Sequence, residues 1–276
     1  MKGRVDLHVH TTASDGTWRP AEVVREALEL GLEAVGIADH DTVEGLAEAM
    51  EEGRRLSLEV VPGVEINTED RGKEIHLLGY YVEPTPQFTG LLQNLRQARF
   101  DRMAEMVDKL RGLGMEVSRE RILEIAGDAA PGRPHAARAL VEKGYVQSVR
   151  EAFERYLDIG RPAYVERFRL TPARAVEAIL AAGGVPVLAH PGLIGDDLYI
   201  PALAEKGLKG LEVYHPAHDR STSLHYLKMA RHYGLLATGG SDCHGPAAGQ
   251  PALLGTVTVP CAVVEELQEA RKRRTR

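Results

Sequence analysis

The 276-residue chain reads as an α/β protein carrying a helical insertion. Three observations lead there: strand and helix patterns alternate at both ends of the chain, residues 87–162 read as helices alone, and chemically capable polar residues sit where strands end. A hydrophobic content of 43% and a net charge of −6 fit a soluble globular chain without a general basic surface for long nucleic acids. Two cysteines, Cys243 and Cys261, rule against a disulfide scaffold or a cysteine-rich zinc module. No apolar run reaches the roughly 18 residues of a membrane span. The N-terminus enters a strand directly, so a cytoplasmic location is the expectation.

The first strand is the alternating run Val5-Asp6-Leu7-His8-Val9-His10, which puts both imidazoles on one face, with Asp15 on the following loop. PAEVVREALEL (20–30) has helical spacing, with proline at its start and Gly31 at its end. EAVGIADH is a strand ending at His40, and Thr42 is expected to cap a helix running to about Arg55. LEVVPGVEIN carries Glu65 and KEIHLLGYYV carries His76, both as strands. The helical stretch 87–162 follows. Alternation then resumes with a helix at 171–184, the strand VPVLAH ending at His190, and a strand in KGLKGLEVYHP leading to Glu212 and His215. LHYLKMARHYG is a helix, LLATGGSDCHG a strand ending near Asp242 and His244, and LLGTVTVP an edge strand. The expected division is a barrel of 1–86 and 163–276 and an insertion of 87–162 forming part of the substrate pocket.

A lone histidine is usually an ordinary hydrogen-bonded residue, but here six strand ends carry His, Asp or Glu. In a parallel α/β barrel such ends meet at one mouth, so a multinuclear metal centre is the better reading. VDLHVHTTASDG, ADHDT (38–42), PGVEI (62–66), AHPG (189–192) and GSDCHG (240–245) resemble, in order, the PHP family, the polymerase and histidinol phosphatase superfamily of metal-dependent phosphoesterases. GRPHAARALVEKG (132–144) is similar to members that act as 3′,5′-nucleoside bisphosphate phosphatases and 5′→3′ exoribonucleases on short RNA.

The resemblance implies a distorted seven-stranded (β/α) barrel with three divalent metals. His8, His10, Glu65 and Asp242 would hold one; Asp15, His40 and His244 a second; His76 and His190, with Glu65 bridging, a third. Asp242, His10 and Glu65 are the expected catalytic core. Mixed imidazole and carboxylate ligands suit Mn²⁺ first, with Fe²⁺ or Zn²⁺ as alternatives, over Mg²⁺. A metal-activated hydroxide is the expected nucleophile, with no role for the Cys243 thiol. Asp39 and Asp41 are candidates either to orient an imidazole or to serve a loop or cap, and Glu212 is expected behind the ligands. Arg102, Arg133, His135 and His218 are the expected phosphate contacts, Arg133 and His135 lying at a helix start.

The expected reaction is hydrolysis of a nucleotide phosphoester, preferably the 3′-phosphate of a nucleoside 3′,5′-bisphosphate. Exoribonucleolytic cleavage of short RNA is the alternative. Further alternatives are histidinol phosphatase, a non-catalytic metal-binding PHP module, and metal-dependent hydrolysis of a non-phosphate bond. The single tryptophan, Trp18, offers no extended base-stacking platform, so a mononucleotide or RNA end is expected rather than a long strand, with no membrane partner.

Overall fold

A computed structural model describes residues 3–126, 131–165, 170–246 and 251–273. The chain divides into two compact units, Met1–Leu92 with Arg169–Arg276, and Gln93–Phe168. The second unit lies inside the expected 87–162 insertion at its start and runs past it at its end. Its beginning falls within a helix, because Phe88 and Leu92 are buried while the insertion's own core starts at Met103.

In the first unit, β1 (Arg4–Val9), α1 (Pro20–Glu29), β2 (Ala34–Ile37), α2 (Leu46–Leu56), β3 (Glu59–Asp70) and β4 (Lys73–Tyr80) follow in order. The helices α3 (Pro86–Gly112), α4 (Arg119–Ala126), α5 (Arg133–Glu142) and α6 (Val149–Ala152) come next, α6 running into a π-helical turn at Phe153–Leu157. Then come α7 (Pro172–Ala181), β5 (Val185–Leu188), α8 (Pro191–Ile194), α9 (Tyr199–Glu205), β6 (Gly210–Tyr214), α10 (Arg220–Tyr233), β7 (Leu236–Gly239), β8 (Val259–Pro260) and α11 (Ala262–Lys272).

The strands form one sheet in the order β7-β6-β5-β4-β3-β2-β1-β8. Beyond β7 the chain comes back to β1: Val9 bridges Cys243 in parallel, and the His10 N–H donates to the Cys243 carbonyl at 2.9 Å. This nearly closes a barrel. The sheet has eight strands, one more than the seven implied by family resemblance, the addition being the two-residue β8 paired with Arg4 and Val5. It is also not all parallel, since β4 and β8 run against their neighbours. Thr42 caps a turn instead of a helix: its hydroxyl accepts the Glu44 N–H at 3.2 Å, and α2 starts only at Leu46. The short helices α8 and α9 carry too few apolar repeats to be legible in the sequence.

The antiparallel β4 has a local cause. β3 lies between two neighbours: β2 runs parallel along one edge, with a further parallel bridge between His40 and Glu65, and β4 pairs antiparallel along the other edge from Gly63 onward. Arg71 and Gly72, both at positive φ, make the tight turn that sends the chain back. Glu65 therefore lies inside a long strand and not at its end. His76 enters the same region from the opposite direction, with Asn67 as its cross-strand partner.

One apolar cluster joins Val5 and Leu7 of β1 to β5 and to Val263, Val264 and Leu267 of α11. A second packs Val9, Val35 and Ile37 against Val23, Val24 and Ala27 of α1 and Ala49 of α2, and Cys243 is buried within it. On β1 the alternate residues Asp6 and His8 are thus left for polar work, as the period of two requires. Gly36 is needed for strand approach: a Cβ there would stand 2.4 Å from the Leu7 carbonyl oxygen. The second unit has its own core of Met106, Val107, Leu110, Ile122, Leu140 and Leu157. Among the described residues no helix is long and apolar enough to cross a membrane.

Glu52 of α2 ties the first helical layer together, accepting from Arg25 Nε of α1 at 2.6 Å and from Arg55 Nε at 2.8 Å. The Arg55 and Arg25 hydrogen bonds hold its carboxyl down at about 2, below the ordinary glutamate value. A depressed folded-state pKa stabilises the fold above the unfolded value and loses that contribution as pH falls toward the folded one. Glu52→Gln should therefore lower the thermal midpoint at pH 7, and the deficit should shrink as pH drops from about 4.5 toward 2, as measured by melting curves across that range. A deficit that does not change with pH would refute this account.

Candidate metal centre

Residues from β1, the loops after β1, β2, β5 and β7, and the β3–β4 hairpin converge on Glu65, which is only 1% exposed. Its Oε2 lies 3.3 Å from both His8 Nε2 and His10 Nε2 and 3.0 Å from His40 Nδ1. Its Oε1 lies 2.8 Å from His76 Nδ1 and 3.0 Å from His190 Nε2. Asp242 Oδ1 is 3.0 Å from His10 Nε2 and 3.5 Å from His8 Nε2. Asp15 takes a separate side, with Oδ1 3.3 Å from His244 Nε2 and Oδ2 3.6 Å from His40 Nε2.

Among the described residues, three groups of ligand atoms fall within 4.8 Å of one another: His8, His10, Glu65 and Asp242; His10, Asp15, His40 and His244; and His40, Glu65 and His76. His10 is shared by two groups, and His190 joins the third by way of Glu65 Oε1. All nine residues expected to ligate metal are thus brought to one place. These residues fit divalent metals. His10 Nδ1, Glu65 Oε2 and His190 Nδ1 are buried with no hydrogen-bond partner, although nitrogens stand 3.0–3.3 Å from Glu65 Oε2. Leaving a carboxylate so placed uncompensated costs several kcal/mol, and imidazole with carboxylate is a donor set that a borderline divalent cation satisfies.

Buried carboxylates outside this set hold the ligand segments by their backbone amides. Asp39 accepts the Thr11 N–H at 2.7 Å and the Thr11 and Ser14 hydroxyls at 2.8 and 2.6 Å, so it fixes the loop that carries Asp15. Of its two expected roles, orienting an imidazole or serving a loop, this is the second. Asp41 accepts the Asn67 N–H and side-chain amide, each at 3.0 Å, and the same Asn67 amide nitrogen is 3.2 Å from His40 Nδ1. Asp6 accepts the Ser241 N–H and the Gly255 N–H, each at 2.9 Å, and burial pushes its carboxyl up to about 6. Glu212 is 2.9 Å from His8 Nδ1 and accepts the His190 N–H at 2.8 Å. Asp6 and Asn67 were missed from sequence, yet each lies two residues from a ligand on the same strand face.

Asp41, His190 and Asp242 all have positive φ, at 51°, 27° and 50°. Non-glycine residues rarely adopt this conformation, and the surrounding hydrogen bonds are what maintain it. The His244 Nδ1–H donates to the Asp242 carbonyl at 2.9 Å, which turns its Nε2 toward Asp15. His215 Nδ1 accepts the Ala217 N–H, so the Nε2–H faces Asp242 Oδ2 at 3.3 Å. His218 differs from its expected role. Its Nδ1 donates to the Val213 carbonyl and its Nε2 accepts the Gly192 N–H, so both ring nitrogens serve the backbone and neither is left for a phosphate.

In the second unit, Arg133 opens α5 with its guanidinium 5.6 Å from the Phe153 ring centre on the π-helical turn. His135 Nδ1 accepts the Gly132 N–H at 3.1 Å, and Arg102 Nε donates to the Val165 carbonyl at 3.1 Å.

The charges of the centre are balanced internally. Burial opposes a proton on His76, but Glu65 raises it to about 10; burial likewise opposes one on His244, but Asp15 raises it to about 9. Burial also works against a charged His8, and Glu212, Asp242 and Glu65 together hold it well above the ordinary histidine value. Glu65 and Asp242 are held well below the usual carboxylate range by the imidazoles around them, against the penalty of burial. At pH 7 metal binding therefore expels protons from His8, His76 and His244. Calorimetric titration with Zn²⁺ in buffers of different ionisation enthalpy should show net proton release at pH 7, diminishing as pH rises through 9 to 10, with affinity increasing over the same range. Binding without proton release would overturn this charge assignment.

Comparison with known proteins gives the family. The PHP domain signature matches residues 6–167. The chain is 38% identical over 192 residues to a 5′-3′ exoribonuclease of Haemophilus influenzae, covering 69% of this chain and 70% of that one. It is 35% identical to a phosphoribosyl 1,2-cyclic phosphate 1,2-diphosphodiesterase of Eggerthella lenta, over 87% and 94% of the two chains. It is 30% identical to a 3′,5′-nucleoside bisphosphate phosphatase of Chromobacterium violaceum, over 97% of each. A solved Bifidobacterium adolescentis structure, described as a metal-dependent phosphoesterase, superposes with a TM-score of 0.80 at 32% identity over 96% of both chains. Eight imidazoles and carboxylates gathered around one buried glutamate, on a barrel of this topology, accord with that kinship, and the chain belongs to the PHP domain family of metal-dependent phosphoester hydrolases.

Proposed function

We propose that the protein removes the 3′-phosphate from nucleoside 3′,5′-bisphosphates, leaving 5′-nucleotides. The observation that carries this reading is similarity over 97% of both chains to a phosphatase of that specificity, together with the ligand set around Glu65. Three divalent metals are assigned, Mn²⁺ first: one on His8, His10, Glu65 and Asp242, one on Asp15, His40 and His244, and one on His76 and His190 with Glu65 shared. When bound, such metals lower the pKa of water and neutralise phosphate charge, which is the chemistry that phosphoester hydrolysis needs without a serine or cysteine nucleophile. The chain's own residues supply position. Glu65 spans the groups, Asp242 is steadied by the His215 Nε2–H, and Asp39 holds the Asp15 loop. Cys243 is buried in an apolar cluster and takes no part.

Arg102, Arg133 and His135 are assigned to the second phosphate on the strength of residue type and the α5 helix start. The second reading is 5′→3′ hydrolysis of short RNA, favoured by the higher identity to the Haemophilus influenzae enzyme. A cytoplasmic location and action on small substrates rather than long nucleic acid or membrane complete the proposal.

The test is a product analysis with Mn²⁺-loaded protein on 3′,5′-bisphosphorylated adenosine, a short 5′-phosphorylated RNA and a phosphoribosyl 1,2-cyclic phosphate. The bisphosphate should give the highest kcat/KM, and Asp242→Ala should reduce all turnover to background. Faster cleavage of RNA would install the second reading, and no turnover by metal-loaded protein would sink the nucleotide assignment. Arg133→Ala should lower kcat/KM by about 10- to 100-fold, the worth of one hydrogen bond to a charged group, with most of the loss in KM. An unchanged KM would remove Arg133 from phosphate binding.

A further inference from the structure

Glu212 lies in β6 with no exposed surface, and its two oxygens face two different ligand segments. Oε1 is 2.9 Å from His8 Nδ1 of β1, and Oε2 receives the His190 N–H, 2.8 Å away, after β5. Both partners are donors. A backbone N–H can only donate, so Oε2 is an acceptor, and a ligating histidine ordinarily hands its other ring N–H to a carboxylate so placed, which puts the hydrogen of the His8 contact on Nδ1. His8 Nε2 is thereby left toward Glu65 and Asp242. His190, at φ 27° on its short turn, is held in a conformation that non-glycine residues seldom take.

We propose that Glu212 is the positioning residue that couples two metal positions: one carboxylate sets the tautomer of His8 and the backbone of His190, so that both offer Nε2 to the centre. The proposal rests on reading His8 and His190 as ligands of different metals. Its chemical content lies in the number of acceptors. Two donors need two acceptor oxygens, which only a carboxylate provides. A glutamine of the same length has one oxygen and one NH₂. With the oxygen toward His190, the NH₂ forces His8 Nδ1 to accept, which places the ring proton on Nε2 and stops it ligating. With the oxygen toward His8, the NH₂ confronts the His190 N–H and displaces that ligand. Either orientation loses a metal position.

The experiment compares wild type, Glu212→Gln and Glu52→Gln by Zn²⁺ titration and by ¹⁵N histidine NMR of the Zn²⁺-loaded proteins. Glu52 is a remote carboxylate also held by two donors, so its variant reports general destabilisation. In wild type, the His8 ring should be protonated on Nδ1 and metal-bound through Nε2. Glu212→Gln should weaken Zn²⁺ at one or more positions by about 10- to 100-fold, the usual scale for partners that orient metal ligands, while Glu52→Gln binds as wild type does. Wild-type metal binding with unaltered affinity in Glu212→Gln overturns the positioning role alone, whereas failure of wild type to bind metal overturns the reading of the whole site. Should Glu212→Gln not fold, the wild-type spectrum decides: a His8 ring protonated on Nε2 refutes the proposal.

Discussion

Both oxygens of Glu65 are ringed by imidazole nitrogens, three against Oε2 and two against Oε1, in a position almost without solvent. An ionised carboxylate taken so far from water is tolerated only with opposite charge close by. In the metal-free chain, protons held on His8 and His76 supply that charge; when metals bind, the cations supply it instead. His76 is local, on the hairpin strand beside Glu65, but the other imidazoles come from β1 and its loop and from the loops after β2 and β5, so these segments must assemble around β3 before the charge of Glu65 is fully compensated. Folding and the capacity to bind metal are therefore two consequences of one electrostatic constraint.

That constraint is useful only if the ligands stay in place, and here the protein separates the work between two sets of acids. Asp15, Glu65 and Asp242 face the centre, while Asp6, Asp39, Asp41 and Glu212 accept backbone amides beside the ligands. The strained backbones of Asp41, His190 and Asp242 lie where these acceptors act, so side-chain hydrogen bonds offset the cost of unfavourable φ. Each such amide is a buried donor that would be expensive to leave unpaired, which makes the acceptor's identity as constrained as the ligand's.

The insertion follows a different logic. Its core is apolar and local, built from Met106, Leu110, Ile122, Leu140 and neighbours, so its helices pack on one another. The π-helical turn sets Phe153 beside the Arg133 guanidinium and so limits where that charge can go.

Composition, periodicity and strand-end chemistry were enough to specify an α/β chain with a helical insertion, and the motifs and their order, through the family they resemble, supplied the barrel and nine candidate ligands. These are local properties: alternation places His8 and His10 on one face, and each ligand type is visible in its own short stretch. What the sequence could not express was pairing. That β4 runs antiparallel, so that His76 approaches Glu65 from the far side, depends on the turn at Arg71 and Gly72 folding β4 back along β3. That His218 spends both nitrogens on the backbone, that Asp39 serves a loop instead of an imidazole, and that Glu212 spans His8 and His190 all depend on contacts between segments remote along the chain. Residue type and spacing determine which atoms are able to ligate or accept. Only the closed barrel decides which donor each acceptor meets, because hydrogen bonds and charge compensation are set by distance and direction in space.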